Sequence, residues 1–342
     1  SQVNVLTASY AKGRTDVPLI EQTIGDFFAD MAQRQGSRDA LVSRHQGLSY
    51  SYGQLHAATR QLASALLNLG LVKGDRVGIW SHNNAQWVLL QLATAQVGLI
   101  LVNINPAYRT TEVEYALNKV GCKALVAMPQ FKTSDYLGML RELAPELLTS
   151  EPGQLQAKRL PELRTVVWID VAGQGNDQPG MLRFSELLAQ GESGDERINA
   201  IAATLSNNDP INIQFTSGTT GFPKGATLTH RNILNNGFFI GECMKLTPED
   251  RLASLPIIRE ATDTCRKPVL LAGDFNTGDA AAVLAGLGGG FRILSDTTRM
   301  TFPSDNPAVR IDYILGRGLP TSATVAESAV DHTATASDHC PL

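Results

Sequence analysis

The sequence predicts an α/β fold built on a mostly parallel, doubly wound sheet, and three observations carry that reading. Between Leu48 and Met128 helical and strand periodicities alternate. The strand candidates are short and apolar almost throughout, as strands covered on both faces are. The links between them are long enough to be crossover helices, which parallel pairing requires. In order, Ser51 stands where it can cap a helix whose Leu55, Leu62, Leu66 and Leu67 share one face. Residues 75–80 (DRVGIW) read as a compact strand, 84–97 as a helix and 98–104 (GLILVNI) as a buried strand. Thr111 opens a helix through Val120, and residues 123–128 give a third strand. Residues 164–170 (RTVVWID) form another, set between a polar, proline-containing stretch at 149–163 and an exposed turn at 172–180 (AGQGNDQPG).

A chain of 342 residues can bury a full core and hold two domains. Hydrophobic residues make up 43% and charged residues 18%, as in ordinary globular proteins. The net charge is −4. Residues 257–342 hold 7 Lys and Arg against 10 Asp and Glu, which leaves 22 and 23 in the front part. Neither part is basic, so charge does not support a nucleic-acid partner. A phosphate-bearing ligand has to be held by local geometry or by metal. Cys122, Cys243, Cys265 and Cys340 show no metal-knuckle or redox-pair spacing, which fits scattered reduced thiols. The apolar stretch at 87–104 is broken by Gln91, Gln96 and Asn103, and reads as a core helix running into a buried strand, with no membrane span. No secretory leader is read at the start, and a cytoplasmic location is expected.

Residues 209–230 (DPINIQFTSGTTGFPKGATLTH) carry the strongest chemical signal. An apolar strand with Ile211, Ile213 and Phe215 runs straight into Thr216, Ser217, Gly218, Thr219, Thr220, Gly221, Phe222, Pro223, Lys224 and Gly225. Glycines let backbone N–H groups approach phosphate oxygens, hydroxyls add donors and the lysine supplies charge. Four hydroxyl residues, three glycines and a lysine in ten positions exceed what an ordinary hairpin loop needs. The spacing is not that of a Walker loop, because the lysine comes three residues after Gly221 with no Ser or Thr behind it. His230, between the following strand and helix, reads as a structural histidine.

This run resembles the phosphate-binding signature of the adenylate-forming superfamily of acyl-CoA synthetases, luciferases and peptide-synthetase adenylation domains. The phrases NPAYRTTEVEYAL and DPINIQFTSGTTG are most similar to the medium-chain fatty-acid–CoA ligase branch, and the resemblance covers residues 20–254. It implies an N-terminal subdomain of an adenylate-forming enzyme. It also implies ATP and a fatty acid as substrates, CoA as co-substrate and Mg²⁺ as cofactor. Thr216, Ser217, Gly218, Thr219, Thr220, Gly221 and Lys224 would hold the β- and γ-phosphates. The family also uses a Tyr-Gly-x-Thr-Glu run whose Glu binds magnesium, and no such run occurs in this chain. The resemblance fades after 251–256 (RLASLP), so little or no turnover is expected of this part alone.

Beyond Pro256 the pattern changes. Residues 268–273 (PVLLAG) form a strand candidate that leads into Asp274 and Asn276; residues 309–315 (VRIDYIL) hold Asp312; Asp338 and His339 follow near the end. An aspartate within an apolar strand needs a partner, and His339 is a natural one, because a carboxylate on one ring nitrogen fixes the other as a base. Asp274, Asn276 and Asp338 add oxygen ligands of the kind magnesium prefers. GDFNT, RIDYIL and SDHCPL together resemble the second half of the endonuclease/exonuclease/phosphatase family over residues 258–342. That resemblance implies a partial α/β sandwich. It places Asp274 and Asn276 around the phosphate and attacking water, Asp338 in the metal site, and His339 with Asp312 at the transition state.

The expected organisation is therefore a truncated acyl-CoA synthetase-like domain at 1–256 joined to a truncated phosphoesterase-like domain at 257–342. Four readings stay open: a fusion of two incomplete enzymes, natural, engineered or from a mis-joined reading frame; a genuine two-domain enzyme whose fragments complete one another; a metal-dependent phosphodiesterase; and a non-catalytic nucleotide-binding fragment.

Overall fold

Thr23 accepts the Asp26 N–H at 3.1 Å and so starts the first helix, α1 (Ile24–Gln35), of the computed structural model. The structure describes residues 15–131, 133–170, 173, 175–216, 223–244, 246, 269–274, 280–287, 290–294, 312–317 and 319. Its contacts divide the chain into two units, residues 1–245 and 246–342.

In the first unit a small antiparallel hairpin, β1 (Asp39–Ser43) and β2 (Leu48–Ser51), precedes α2 (Tyr52–Asn68). Ser51 and Gln54 form a reciprocal capping box there, as the sequence suggested. Then come β3 (Arg76–Trp80), α3 (Ala85–Gln96), β4 (Ile100–Ile104), α4 (Thr110–Val120) and β5 (Cys122–Ala127). Each lies within two residues of its expected bounds. Two short strands, β6 (Gln130–Phe131) and β7 (Ser134–Asp135), lead into α5 (Tyr136–Leu143). After β8 (Thr165–Trp168) the chain forms β9 (Leu182–Arg183), α6 (Phe184–Ala189), α7 (Glu196–Ala202), β10 (Pro210–Thr216), β11 (Lys224–Thr229) and α8 (His230–Cys243).

Seven of these strands form one sheet in the order β11-β10-β4-β3-β5-β8-β9. Neighbours are parallel throughout except for the β10–β11 hairpin. The chain leaves β3 for β4 on one side and then crosses over it to β5 on the other, which is what doubly wound means. Side chains alternate across the sheet accordingly. Val77, Ile79, Leu101, Ala124, Val126 and Val167 face a core shared with α1, α2, α3, α6 and α7. Trp80, Val102, Ile104, Leu125 and Val166 face a second core with α4 and α5. Trp80 stacks on Tyr136 with ring centroids 3.9 Å apart. Tyr136 donates its hydroxyl to the Pro106 carbonyl at 2.6 Å.

The stretch at 149–163 differs from its polar reading. Leu155, Ala157, Leu160 and Leu163 are all buried and close the second core. Their spacing follows neither helix nor strand, so composition concealed them. Cys122 is also buried, and burial pushes its thiol up to about 12. Among the described residues no helix is long and apolar enough to cross a membrane.

The second unit contains β12 (Val269–Asp274), α9 (Ala280–Leu287), β13 (Phe291–Ile293) and β14 (Asp312–Arg317). The strands make a three-stranded antiparallel sheet in the order β12-β14-β13. Leu287, Phe291 and Leu315 are buried, and the Arg317 guanidinium lies 4.9 Å over the Phe291 ring.

Gly98 sets the entry to β4. Its φ of +68° lies in the left-handed region, and a Cβ there would come within 2.8 Å of Leu205 and 2.9 Å of Lys73. Gly98→Ala is expected to lower stability by about 1–3 kcal/mol in urea unfolding, through backbone strain and crowding. An unchanged midpoint would show that the turn relaxes freely.

Candidate functional site

The β10–β11 hairpin carries the glycine-rich run. Asn212, Ile213 and Gln214 of β10 pair in parallel with Leu101, Val102 and Asn103 of β4. The end of β10 therefore lies at the carboxyl edge of the parallel sheet, the edge where open α/β sheets bind ligands. Asn212 is fully buried and donates its amide to Gln91 Oε1 of α3 at 3.1 Å, fastening the strand to the helix beneath it. Leaving the parallel sheet, β10 pairs with β11 from Pro210 opposite Thr229 to Thr216 opposite Lys224. Thr216 and Lys224 are thus brought side by side at the loop end of the hairpin, and both are exposed. Ser217, Gly218, Thr219, Thr220 and Gly221 lie outside the described residues.

The base of the hairpin is held from an unexpected direction. Thr229 caps α8 in a reciprocal box with Asn232. His230, the first residue of that helix, is fully buried. Its Nδ1 accepts the Ile24 N–H at 3.1 Å, so the ring proton sits on Nε2. Burial holds this imidazole below the usual histidine value of 6.5, against the opposing pull of Asp209 and Asp26. One turn on, Asn235 Oδ1 accepts the Ile20 N–H at 2.7 Å, and Asn235 Nδ2 donates to the Ile20 carbonyl at 2.9 Å. Arg231 grips Glu21 with two bonds, Nε to Oε2 at 3.0 Å and a terminal nitrogen to Oε1 at 2.9 Å. Asn207 Nδ2 adds bonds to the Glu21 carbonyl at 3.1 Å and carboxylate at 2.6 Å. Residues 20–24 form a strap fastened to a helix more than 200 residues away. The structural reading of His230 agrees with this geometry. Sequence reasoning missed Asn207, Arg231, Asn235 and the strap itself, because an irregular segment leaves no periodicity, and its partners are remote.

In the second unit the β12–β14 register sets Asp274 opposite Asp312, at the last residue of one strand and the first of the other. Asn276, Asp338 and His339 lie outside the described residues. Among the described residues no group of three or more His, Cys, Asp or Glu could hold a metal ion.

Comparison with known proteins finds two family matches, and they overlap. Residues 28–258 match the family described as AMP-binding enzyme. Residues 199–339 match the endonuclease/exonuclease/phosphatase family, a range that begins well upstream of the expected residue 258 and overlaps the first match. The mitochondrial medium-chain acyl-CoA ligase of Macaca fascicularis is 48% identical over 253 residues, covering 72% of this chain and 40% of that protein. The human protein of the same description is 47% identical over 253 residues, again 72% and 40%. This chain therefore spans about 40% of the length of these relatives.

Among solved structures, acetoacetyl-CoA synthetase from Streptomyces lividans superposes with a TM-score of 0.54 at 23% identity, over 67% of this chain and 34% of that one. An anthranilate CoA ligase in complex with anthranoyl-AMP gives 0.51 at 24% identity, over 64% and 36%. These likenesses establish the fold as that of adenylate-forming enzymes. With β10 ending at the carboxyl edge of the sheet, and more than half its length matched, the chain belongs to the AMP-binding enzyme family.

Proposed function

We propose that the larger part of this chain is the ATP-binding front of an acyl-adenylate-forming fatty-acid–CoA ligase. The observation that carries the reading is the hairpin. It holds Thr216 and Lys224 in register at the two ends of a hydroxyl- and glycine-rich run. In this proposal Thr216, Ser217, Gly218, Thr219, Thr220 and Gly221 offer N–H and hydroxyl donors to the β- and γ-phosphates, and Lys224 supplies the positive charge. ATP and a medium-chain fatty acid would give acyl-adenylate and pyrophosphate, and the CoA thiol would then displace AMP. Binding is assigned to this chain, and turnover is not. The magnesium-binding glutamate of the Tyr-Gly-x-Thr-Glu run has no counterpart in the sequence, so no step of this part is assigned to a metal. We place this ligase-like part at 1–256, in a cytoplasmic protein; the mitochondrial label belongs to the relatives.

A second reading applies to residues 257–342, the phosphoesterase-like part of a fused chain. It is favoured by the family match through residue 339 and by the register that sets Asp274 opposite Asp312. In it Asp274 and Asn276 orient water and phosphate, Asp338 binds Mg²⁺, and His339 with Asp312 handles the proton. A nucleotide-binding fragment without catalysis is the limiting case of the first reading.

Mg-ATP is expected to raise the melting temperature of the purified chain, since a ligand that binds only the native state stabilises it. Lys224→Ala should weaken that binding by about tenfold or more, the worth of a charge-assisted hydrogen bond. Equal affinity in the variant would remove the phosphate-loop assignment. Any hydrolysis of a phosphodiester by the chain should depend on Mg²⁺ or Mn²⁺ and disappear in His339→Ala. Activity that survives in EDTA would sink the second reading.

A further inference from the structure

We propose that His230 is a proton-sensitive positioning residue. Its neutral ring locks the strap at 20–24 onto the start of α8, and protonation unlocks the strap and loosens the phosphate-loop hairpin that α8 continues.

The argument starts from donors and acceptors. Nδ1 of His230 accepts the Ile24 N–H at 3.1 Å. A protonated imidazole carries hydrogen on both nitrogens and accepts from neither. Protonation therefore turns this contact into two donors facing each other inside a site with no solvent exposure, where an unmet donor is costly. Nε2 is buried as well, and among the described residues it has no hydrogen-bond partner to share the added charge.

The surroundings do not offset that cost. Asp26 on α1 and Asp209 before β10 favour the cation, while Lys73, after α2, opposes it. Asp209 is already paired with Lys73 at 2.8 Å. Glu21 on the strap and Arg231 on α8 neutralise each other at 2.9 Å. Burial is the largest influence on the ring, and it favours the neutral form. The sign of the linkage follows. The folded-state value lies below the ordinary one, so this contribution to stability is complete above about pH 6.5 and declines as the pH falls below it.

The mechanical link is short. Thr229, immediately before His230, ends β11 and pairs with Pro210, and the strand runs directly from there to Lys224. Ile20 and Glu21 hold the same helix start through Asn235 and Arg231, so the strap and the base of the hairpin behave as one fastened element. Only the consequence for phosphate binding rests on the function proposed above.

The test is amide hydrogen exchange of the full chain without nucleotide, corrected for intrinsic rates, between pH 7.5 and 5.0. It compares wild type, His230→Gln and Ile24→Pro. Ile24 is the first residue of α1, and Thr23 before it is already extended at φ −73°, ψ 159°. Proline is favoured at that position, and of the backbone donors it removes only the N–H in question. Wild type is expected to lose protection at residues 19–24 and 224–235 by at least tenfold across the range. His230→Gln, which cannot ionise, should stay flat, and the acid step of Ile24→Pro should shrink at least threefold. A flat wild-type profile, or an acid step of equal size in His230→Gln, overturns the proposal. If His230→Gln fails to melt cooperatively, Ile24→Pro decides: an acid step as large as that of wild type overturns it.

An ATP titration of the same samples separates the two ideas. Acid-sensitive exchange in a wild type that binds no ATP removes the phosphate-loop reading and keeps the strap. ATP binding with acid-insensitive exchange does the reverse.

Discussion

The parallel pairing of β10 with β4 is the contact on which the rest of the first unit depends. It joins residues 212–214 to residues 101–103 across a separation of more than a hundred positions. Local propensity cannot specify such a pairing, and the chain must close a long loop before the contact forms. Two things make it specific. Ile213 enters the core on the α4 and α5 side of the sheet, and Asn212 projects to the other side and binds Gln91. A slip of one residue would exchange the two and bury the amide among leucines. Once the register is fixed, the two strands of the hairpin and the base of α8 have determined places.

Much of this was legible before any coordinates. The elements from α2 to β5 were readable because each is regular, apolar on the right period and bounded by a cap or a glycine, such as Ser51 before α2 and Gly121 after α4. The glycine- and hydroxyl-rich run stood out because its residue types together suit a chemistry that few other loops need, and five of its seven candidate residues lie outside the described residues. The second unit was partly readable: strands carrying Asp274 and Asp312 are present, and their register could not have been deduced from spacing.

What escaped is irregular or remote. Leu155, Ala157, Leu160 and Leu163 are core residues in a stretch whose composition says loop. β9 and α6 are short, and the residues leading into them resemble an exposed turn. The strap is the sharpest case. Ile20 and Ile24 act through backbone N–H groups, which every residue except proline carries, so their identity says nothing about the contact. Of its partners only His230 drew notice in the sequence, and a histidine between a strand and a helix gives no hint that it receives a bond from the first helix of the fold.

The stacked ring of Trp80 has a practical consequence. The chain has three tryptophans, Trp80, Trp87 and Trp168, and all fall in the first unit. Indole emission therefore reports on the first unit alone, while the second unit contributes no tryptophan signal. Backbone circular dichroism registers both. A mismatch between the two optical transitions would read out directly whether the units unfold together or apart.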